Sequence, residues 1–304
     1  MSIYRKRNEI MNSKSIRSKE KTAIFIAILA AALYALNSPL SKLLLDNVSS
    51  TVMAGLLYLG AGVGLLVVRG VQKQINIENK EKRLEREDLP YTVAMVLLDI
   101  AAPIFLMIGL AHTTAENASL LNNFEIVATS MIALLIFNEK VSKRLWAAII
   151  LVTISSIILS VEDAGSLQFS FGSIFVLLAC VCWGFENNCT RKLSEKDPLQ
   201  IVVVKGFGSG LGALIIAFAI GEHLPEFRYI VYAMLVGFVA YGLSIFFYIH
   251  AQRFLGAAKT STYYAVAPFI GVGLSLLIFQ QIPPISFWVA LIIMAVGTYL
   301  ASTE

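Results

Sequence analysis

The sequence predicts an all-α, polytopic membrane protein whose ten transmembrane helices form two inverted five-helix repeats. Three observations predict it. The chain of 304 residues is 57% hydrophobic and only 14% charged, with a mean hydropathy of +0.75, whereas a soluble domain carries about 45–50% apolar and about 25% charged residues. Its Lys and Arg fall almost wholly on one side of the predicted spans, and the second half echoes the first at a fixed offset. At roughly 20 apolar residues per span, ten spans use about 200 residues and leave about 100 for ends and loops. No separate soluble domain fits in that remainder.

The spans are apolar runs bounded by charge, Gly or Pro. The first five are expected at Thr22 to Leu45, Val52 to Val68, Tyr91 to Leu110, Ala115 to Phe137 and Leu145 to Val161. The second five are expected at Phe171 to Leu193, Leu199 to Ile220, Tyr229 to Gln252, Ala257 to Phe279 and Ile285 to Leu300. This divides the chain into a basic tail over 1–21, a first five-helix unit over 22–161 and a second over 171–300.

Orientation follows from charge. With the N-terminus inside, the tail and the even-numbered loops hold 21 of the 24 Lys and Arg. The outer side keeps Lys42 and Arg228, and Lys205 falls inside a span. By the positive-inside rule both termini face the cytoplasm of a multi-pass cell-membrane protein. The tail reads as a disordered basic arm, with a lipid-binding or targeting role as the alternative. The apolar run behind it exceeds the roughly 7–15 residues of a cleaved signal's core. The loop from Val71 to Leu89 mixes Lys and Arg with Glu78, Glu81, Glu85, Glu87 and Asp88, the pattern of a solvated amphipathic segment.

An offset of 142 lays Leu134-Leu-Ile-Phe137 on Leu276-Leu-Ile-Phe279, and Trp146, Ala148 and Ile150 on Trp288, Ala290 and Ile292. An offset of 149 lays Tyr34-Ala35 on Trp183-Gly184, Lys42 on Arg191 and Asp46 on Glu195. Each unit holds an odd number of spans, so the second enters the membrane with the opposite orientation. Two such units can exchange conformations and so open a central site to either side.

Trp183-Gly184-x-x-Asn187-Asn188-x-Thr190-Arg191-Lys192, Lys205-Gly206, and the helix from Gly256-Ala-Ala-Lys-Thr260 to Ala267-Pro268 resemble the drug/metabolite transporter superfamily, EamA-domain type. The resemblance covers nearly the whole chain from Thr22 to Leu300. It implies an exporter or permease of amino acids, nucleotides or other small metabolites, with a central cavity between helices 1 to 4 and 6 to 9 and with helices 5 and 10 peripheral. One position departs from the family pattern: the acidic residue after the fourth helix is Glu139 in the first unit and Gln281 in the second.

Charged groups inside a span cost about 2.5–3.5 kcal/mol each on insertion scales, which makes every one of them a candidate functional residue. Glu125 is ten residues from one end of its span and twelve from the other, near the midplane. Asn122, Glu125 and Thr129 share a helix face. A carboxylate there can take a proton or a cationic group, or it can lock a helix pair by hydrogen bonding. Glu186 and Lys205 each lie roughly 10 Å from the inner surface at 1.5 Å per residue, so they are a candidate ion pair, with snorkelling as the alternative for Lys205. The offset of 149 lays Glu186 on Asn37. Asp99 shows no partner in the sequence. Pro39, Pro103 and Pro268 are candidate breaks, and Tyr34, Trp183, Asn187, Tyr58, Tyr263 and Tyr264 are candidate cavity residues.

Gly60 with Gly64, Gly206 with Gly210, and Gly208 with Gly212 form small-residue faces for close helix packing. Cys180, Cys182 and Cys189 have no His to complete a ligand set, so no metal site or other cofactor is expected. No phosphate-binding Gly loop and no nucleophile–base pair is present, which argues against an enzyme. The function expected is secondary transport of a small organic metabolite, an amino acid or related solute, outward and by alternating access. A lipid flippase or membrane enzyme using the same cavity is the alternative, and a sensor or scaffold the third. The expected partners are the solute and the bilayer, with no nucleic acid, in a monomer or homodimer. A reporter fused after Glu304 is expected to work only as a cytoplasmic reporter, and activity of a periplasmic or luminal reporter there contradicts the ten-span topology.

Overall fold

The computed structural model describes residues 21–74, 82–137, 142–163, 168–193, 196–255, 260 and 263–302. The tail up to residue 20, Glu78, Glu81, Glu139 and the stretch 256–259 lie outside the described residues. The helices are α1 (Lys21–Leu44), α2 (Ser50–Gln74), α3 (Leu89–Ala111), α4 (Ala115–Ile136) and α5 (Lys143–Ser160). They continue with α6 (Phe171–Leu193), α7 (Pro198–Ala219), α8 (Phe227–Ala251), α9 (Ala267–Phe279) and α10 (Ile285–Ser302). Among the described residues α1 to α8 are long and apolar enough to cross a membrane, and α9 and α10 are apolar but shorter. Between α5 and α6 a short antiparallel pair joins β1 (Val161–Asp163) to β2 (Gln168–Phe169).

Helix starts follow local chemistry. The Thr114, Ser142 and Asp197 side chains accept from Asn117 N, Leu145 N and Leu199 N, so α4, α5 and α7 each begin on a side-chain cap. The end of α2 departs from expectation, running six residues past Val68 and carrying Arg69 and Lys73 on its last turns. Charged side chains do not stop a helix once it leaves the apolar slab, because water satisfies them.

Among the described residues α1 and α4 are interrupted and a turn precedes α9, only partly where proline predicted. The turn in α1 falls at Leu36, so Pro39 stands in the first turn of the segment Asn37–Leu44. A turn at Ala265–Val266 precedes α9, with Pro268 in the first turn of Ala267–Phe279. There a missing N–H removes no helical bond. Pro103 lies inside an unbroken α3. The interruption in α4, at Asn122–Asn123, has no proline at all. Its cause is side-chain competition for the backbone: Asn123 Nδ2 donates to Leu120 O at 3.3 Å, and Thr298 of α10 holds Asn123 Oδ1 at 3.3 Å. In α8, Phe238–Leu243 widens into a π-helical stretch.

The helices pack in pairs that recur five helices on. α3 packs on α6 as α8 does on α1, α4 on α6 as α9 does on α1, and α2 on α8 as α7 does on α3. The pairs α2–α7, α4–α9 and α5–α10 are their own counterparts. Glycines set the closest crossings. A Cβ on Gly62 would stand 3.1 Å from the Gly206 carbonyl carbon, so α2 and α7 meet backbone to backbone. Gly208 lies against Val96 and Gly212 against Ile100, which brings α3 onto the other side of α7.

Charged groups close the helix ends. Glu222 accepts from Val52 N at 2.9 Å and Thr51 N at 3.4 Å at the N-terminus of α2, and Lys42 Nζ donates to Leu110 O at 2.6 Å and Thr113 O at 2.7 Å at the C-terminus of α3. Each charge opposes the helix dipole end it meets. At the basic end Lys196 Nζ lies 3.0 Å from both Glu85 and Asp88, and Arg69 lies 3.8 Å from Asp197. The hydrogen bonds to Glu85 and then Asp88 raise the Lys196 ammonium above its ordinary pKa.

The α2–α7 crossing leads to a stability prediction. Gly62→Leu is expected to lower stability by about 1–3 kcal/mol or more by overpacking, read as a fall in melting temperature in detergent. Gly70→Ala, which meets nothing within 4 Å, is expected to leave it unchanged or slightly raised. Equal effects at the two sites contradict this packing.

Candidate functional site

The second turn of α7 carries Lys205, buried at 5% exposure among apolar neighbours. An ammonium in that position needs carboxylates. Two reach it: Glu186 of α6, its Oε1 2.5 Å from Nζ, and Asp99 of α3, its Oδ2 3.3 Å away. Equal depth in the sequence anticipated Glu186. The partner of Asp99, which the sequence did not reveal, is therefore the same lysine. Thr190, one turn beyond Glu186, donates to its Oε1, and Tyr58 of α2 donates to Asp99 Oδ1 at 2.9 Å. The triad of Lys205, Glu186 and Asp99 draws on three helices, and Tyr58 adds a fourth.

Tyr58 also leads to the other half. Its ring lies 5.0 Å from that of Tyr241, within the π-helical stretch of α8. Tyr241 OH accepts from Asn37 Nδ2 at 3.2 Å, and Asn37 Oδ1 in turn accepts from Ser41 at 3.1 Å. The offset that lays Glu186 on Asn37 and the one that aligns the later helices, which lays Asp99 on Tyr241, make this neutral pair the counterpart of the charged one. The α3–α6 contact between the halves is held by ions. The α8–α1 contact is held by an amide and a phenol.

Glu125 belongs to the α4–α6 contact. Asn187 Nδ2 donates to Glu125 Oε1 at 2.6 Å and reaches Thr129 Oγ1 at 3.4 Å, so Glu125 and Thr129 share a face toward α6. Asn122 lies at the interruption, 7% exposed, with its Oδ1 unpartnered among the described residues. Cys180 turns its thiol toward the carbonyls of Leu121 and Asn122 at 3.6 and 3.8 Å, the groups the interruption exposes. Its role is a weak donor as well as a packing residue.

Aromatic rings complete the region. Tyr34 lies 6.1 Å from Tyr241 and 5.8 Å from Tyr264, whose OH is 3.1 Å from Ser244 Oγ. Of the two adjacent tyrosines it is Tyr264, not the half-buried Tyr263, that joins this group of rings. Trp183 is buried in the core one turn before Asn187. Of the residues named from sequence, Asn37, Tyr34, Glu125, Asn187, Glu186 and Lys205 fall into this connected region, with Asn122 beside it. Asp99 joins them through Lys205. Tyr241 was missed, and the signal that finds it is the repeat offset applied to Asp99.

Among the described residues no three His, Cys, Asp or Glu side chains converge as metal ligands. A separate cleft of about 440 Å³, lined by Lys42, His112, Thr113, Asn117 and Ser170 among others, opens at the end opposite Lys196.

The sequence pattern of the EamA-like transporter family matches residues 21–161 and again 170–303. An uncharacterized transporter of Methanothermobacter thermautotrophicus (strain Delta H) is 25% identical over 292 residues, covering 91% of this chain and 85% of its own. A crystal structure of a protein 14% identical in sequence shares the fold with a TM-score of 0.64, over 92% of this chain and 96% of that one.

A mutant series tests the triad. Lys205→Met strands two buried carboxylates and is expected to cost about 3–5 kcal/mol. Glu186→Gln leaves Asp99 on the lysine and is expected to cost less. The double variant is expected to lose less than the sum of the singles, measured by thermal unfolding in lipid nanodiscs. Strict additivity contradicts the pairing.

Proposed function

Because the chain belongs to the EamA-like transporter family, we propose that it is a secondary transporter that carries a small organic solute across the cell membrane by alternating access. The observation that carries this reading is the ionisable network buried among α2, α3, α6 and α7 and adjoined by Glu125. Charges inside a span are costly, and where they are retained they mark substrate and ion pathways. The recurrence of helix pairs five helices on supports two inverted five-helix units over 22–161 and 171–300, ten spans in all. The interruptions in α1 and α4 and the turn before α9 support a binding region at the middle of the bundle, where broken helices expose backbone groups to a ligand. The charge bias supports cytoplasmic termini, and the direction proposed is outward.

In this reading Glu125, Asn187 and Thr129 form the solute or coupling site, with Asn122, Tyr34, Tyr264 and Trp183 around it. Asn37 with Tyr241, and Glu186 with Lys205, hold the two halves of the bundle together behind it. Reconstitution tests the reading. Proteoliposomes of the wild type are expected to take up at least one member of a panel of labelled amino acids, nucleobases and organic amines. Glu125→Gln, which keeps the shape and removes the charge, is expected to lower that flux at least about tenfold, equivalent to about 1.4 kcal/mol, with its folding unchanged by circular dichroism. Flux of no solute, or equal flux in the variant, contradicts the proposal.

A further inference from the structure

We infer that the site at Glu125 takes the ammonium group of a small organic cation, an amine, in preference to an anion or a zwitterionic amino acid. The inference rests on the transporter reading for its route to the site and on the geometry for its chemistry. The network holds three carboxylates, Asp99, Glu125 and Glu186, against one ammonium. That ammonium is already engaged, because Lys205 Nζ sits between Glu186 at 2.5 Å and Asp99 at 3.3 Å. Two of its three N–H donors face those carboxylates, whose combined charge already exceeds its own. Glu125, by contrast, forms no ion pair among the described residues, and its one short hydrogen bond is to the neutral amide of Asn187 at 2.6 Å.

A second observation points to a ligand independently. Asn122 Oδ1 is buried and accepts from nothing among the described residues. The backbone at the interruption is tight: Glu125 N donates to Asn122 O at 3.1 Å and Ile126 N to Asn123 O at 3.0 Å, both three residues back. In such a 3₁₀ turn the side chains at i and i+3 eclipse, so Asn122 and Glu125 leave the backbone on the same side. Two acceptors without a donor between them suit a group that brings several N–H bonds and a positive charge.

The test is a charge-matched binding panel on the full chain in lipid nanodiscs. The probes are ethylamine, putrescine and phenethylamine beside propionate, succinate and 3-phenylpropionate, each read by the shift in melting temperature. At least one amine is expected to raise it, and no carboxylate. Glu125→Gln is expected to weaken amine binding at least about tenfold, as loss of a charge-assisted bond does, and Glu125→Asp to keep part of it. Asn122→Leu, which removes the orphan acceptor, is expected to weaken it too and supplies the test should Glu125→Gln fail to fold. No shift with any amine, equal shifts with amines and carboxylates, or undiminished amine binding in Glu125→Gln and Asn122→Leu overturns the inference. Flux of the same probes separates it from the transporter reading. Amine binding without flux of any solute overturns transport and leaves the site chemistry standing, whereas carboxylate flux without amine binding does the reverse.

Discussion

An ammonium group inside a slab of apolar side chains is tolerated only where carboxylates surround it, and much of this structure is arranged so that they surround Lys205. One carboxylate comes from α3 and one from α6, so α3, α6 and α7 must meet at a single depth. α3 can approach α7 because Gly208 and Gly212 offer no Cβ to Val96 and Ile100. α2 can approach from the other side because Gly206 meets Gly62, and that approach carries Tyr58 to the second oxygen of the Asp99 carboxylate. The glycines and the charges are thus one design. Without close crossings the ions would be unpaired, and without the ions the crossings would have no fixed register.

The α1–α8 contact solves the same packing problem without charge. Asn37 and Tyr241 occupy the positions that correspond to Glu186 and Asp99, and a single neutral hydrogen bond replaces the ionic triad. A neutral bond contributes about 0.5–1.5 kcal/mol net, and its loss strands no ion. The α1–α8 contact can therefore open at lower cost than α3–α6. If the proposed carrier works by exchanging the states of its two halves, both contacts open in turn, and the neutral one, beside the interruption in α1 and the π-helical stretch in α8, opens at the lower cost.

Much of the fold was legible because its signals are one-dimensional. Apolar run length located each described helix to within a few residues except the end of α2 and the start of α9, which begins at Ala267 rather than Ala257, and rise per residue placed Glu186 and Lys205 at one depth. What depth cannot give is direction around the helix. That is why Asp99 had no visible partner, why Tyr241 went unnoticed, and why Tyr264 rather than Tyr263 faces the other rings. The interruption in α4 was hidden for a different reason. Proline announces a break through its missing N–H, whereas Asn123 makes one only because Leu120 O and Thr298 hold its side chain in place, and Thr298 is 175 residues away.

The central claim is that the polar face shared by α4 and α6 is reached from both sides of the membrane in turn. Accessibility measures it most directly. In a chain with Cys180, Cys182 and Cys189 replaced by Ala, a single cysteine at Thr129 can be labelled with a membrane-impermeant maleimide added to either face of oriented proteoliposomes. The account predicts labelling from both faces, with transported solute slowing both reactions. Labelling from one face only, or from neither, whatever solute is present, would contradict it.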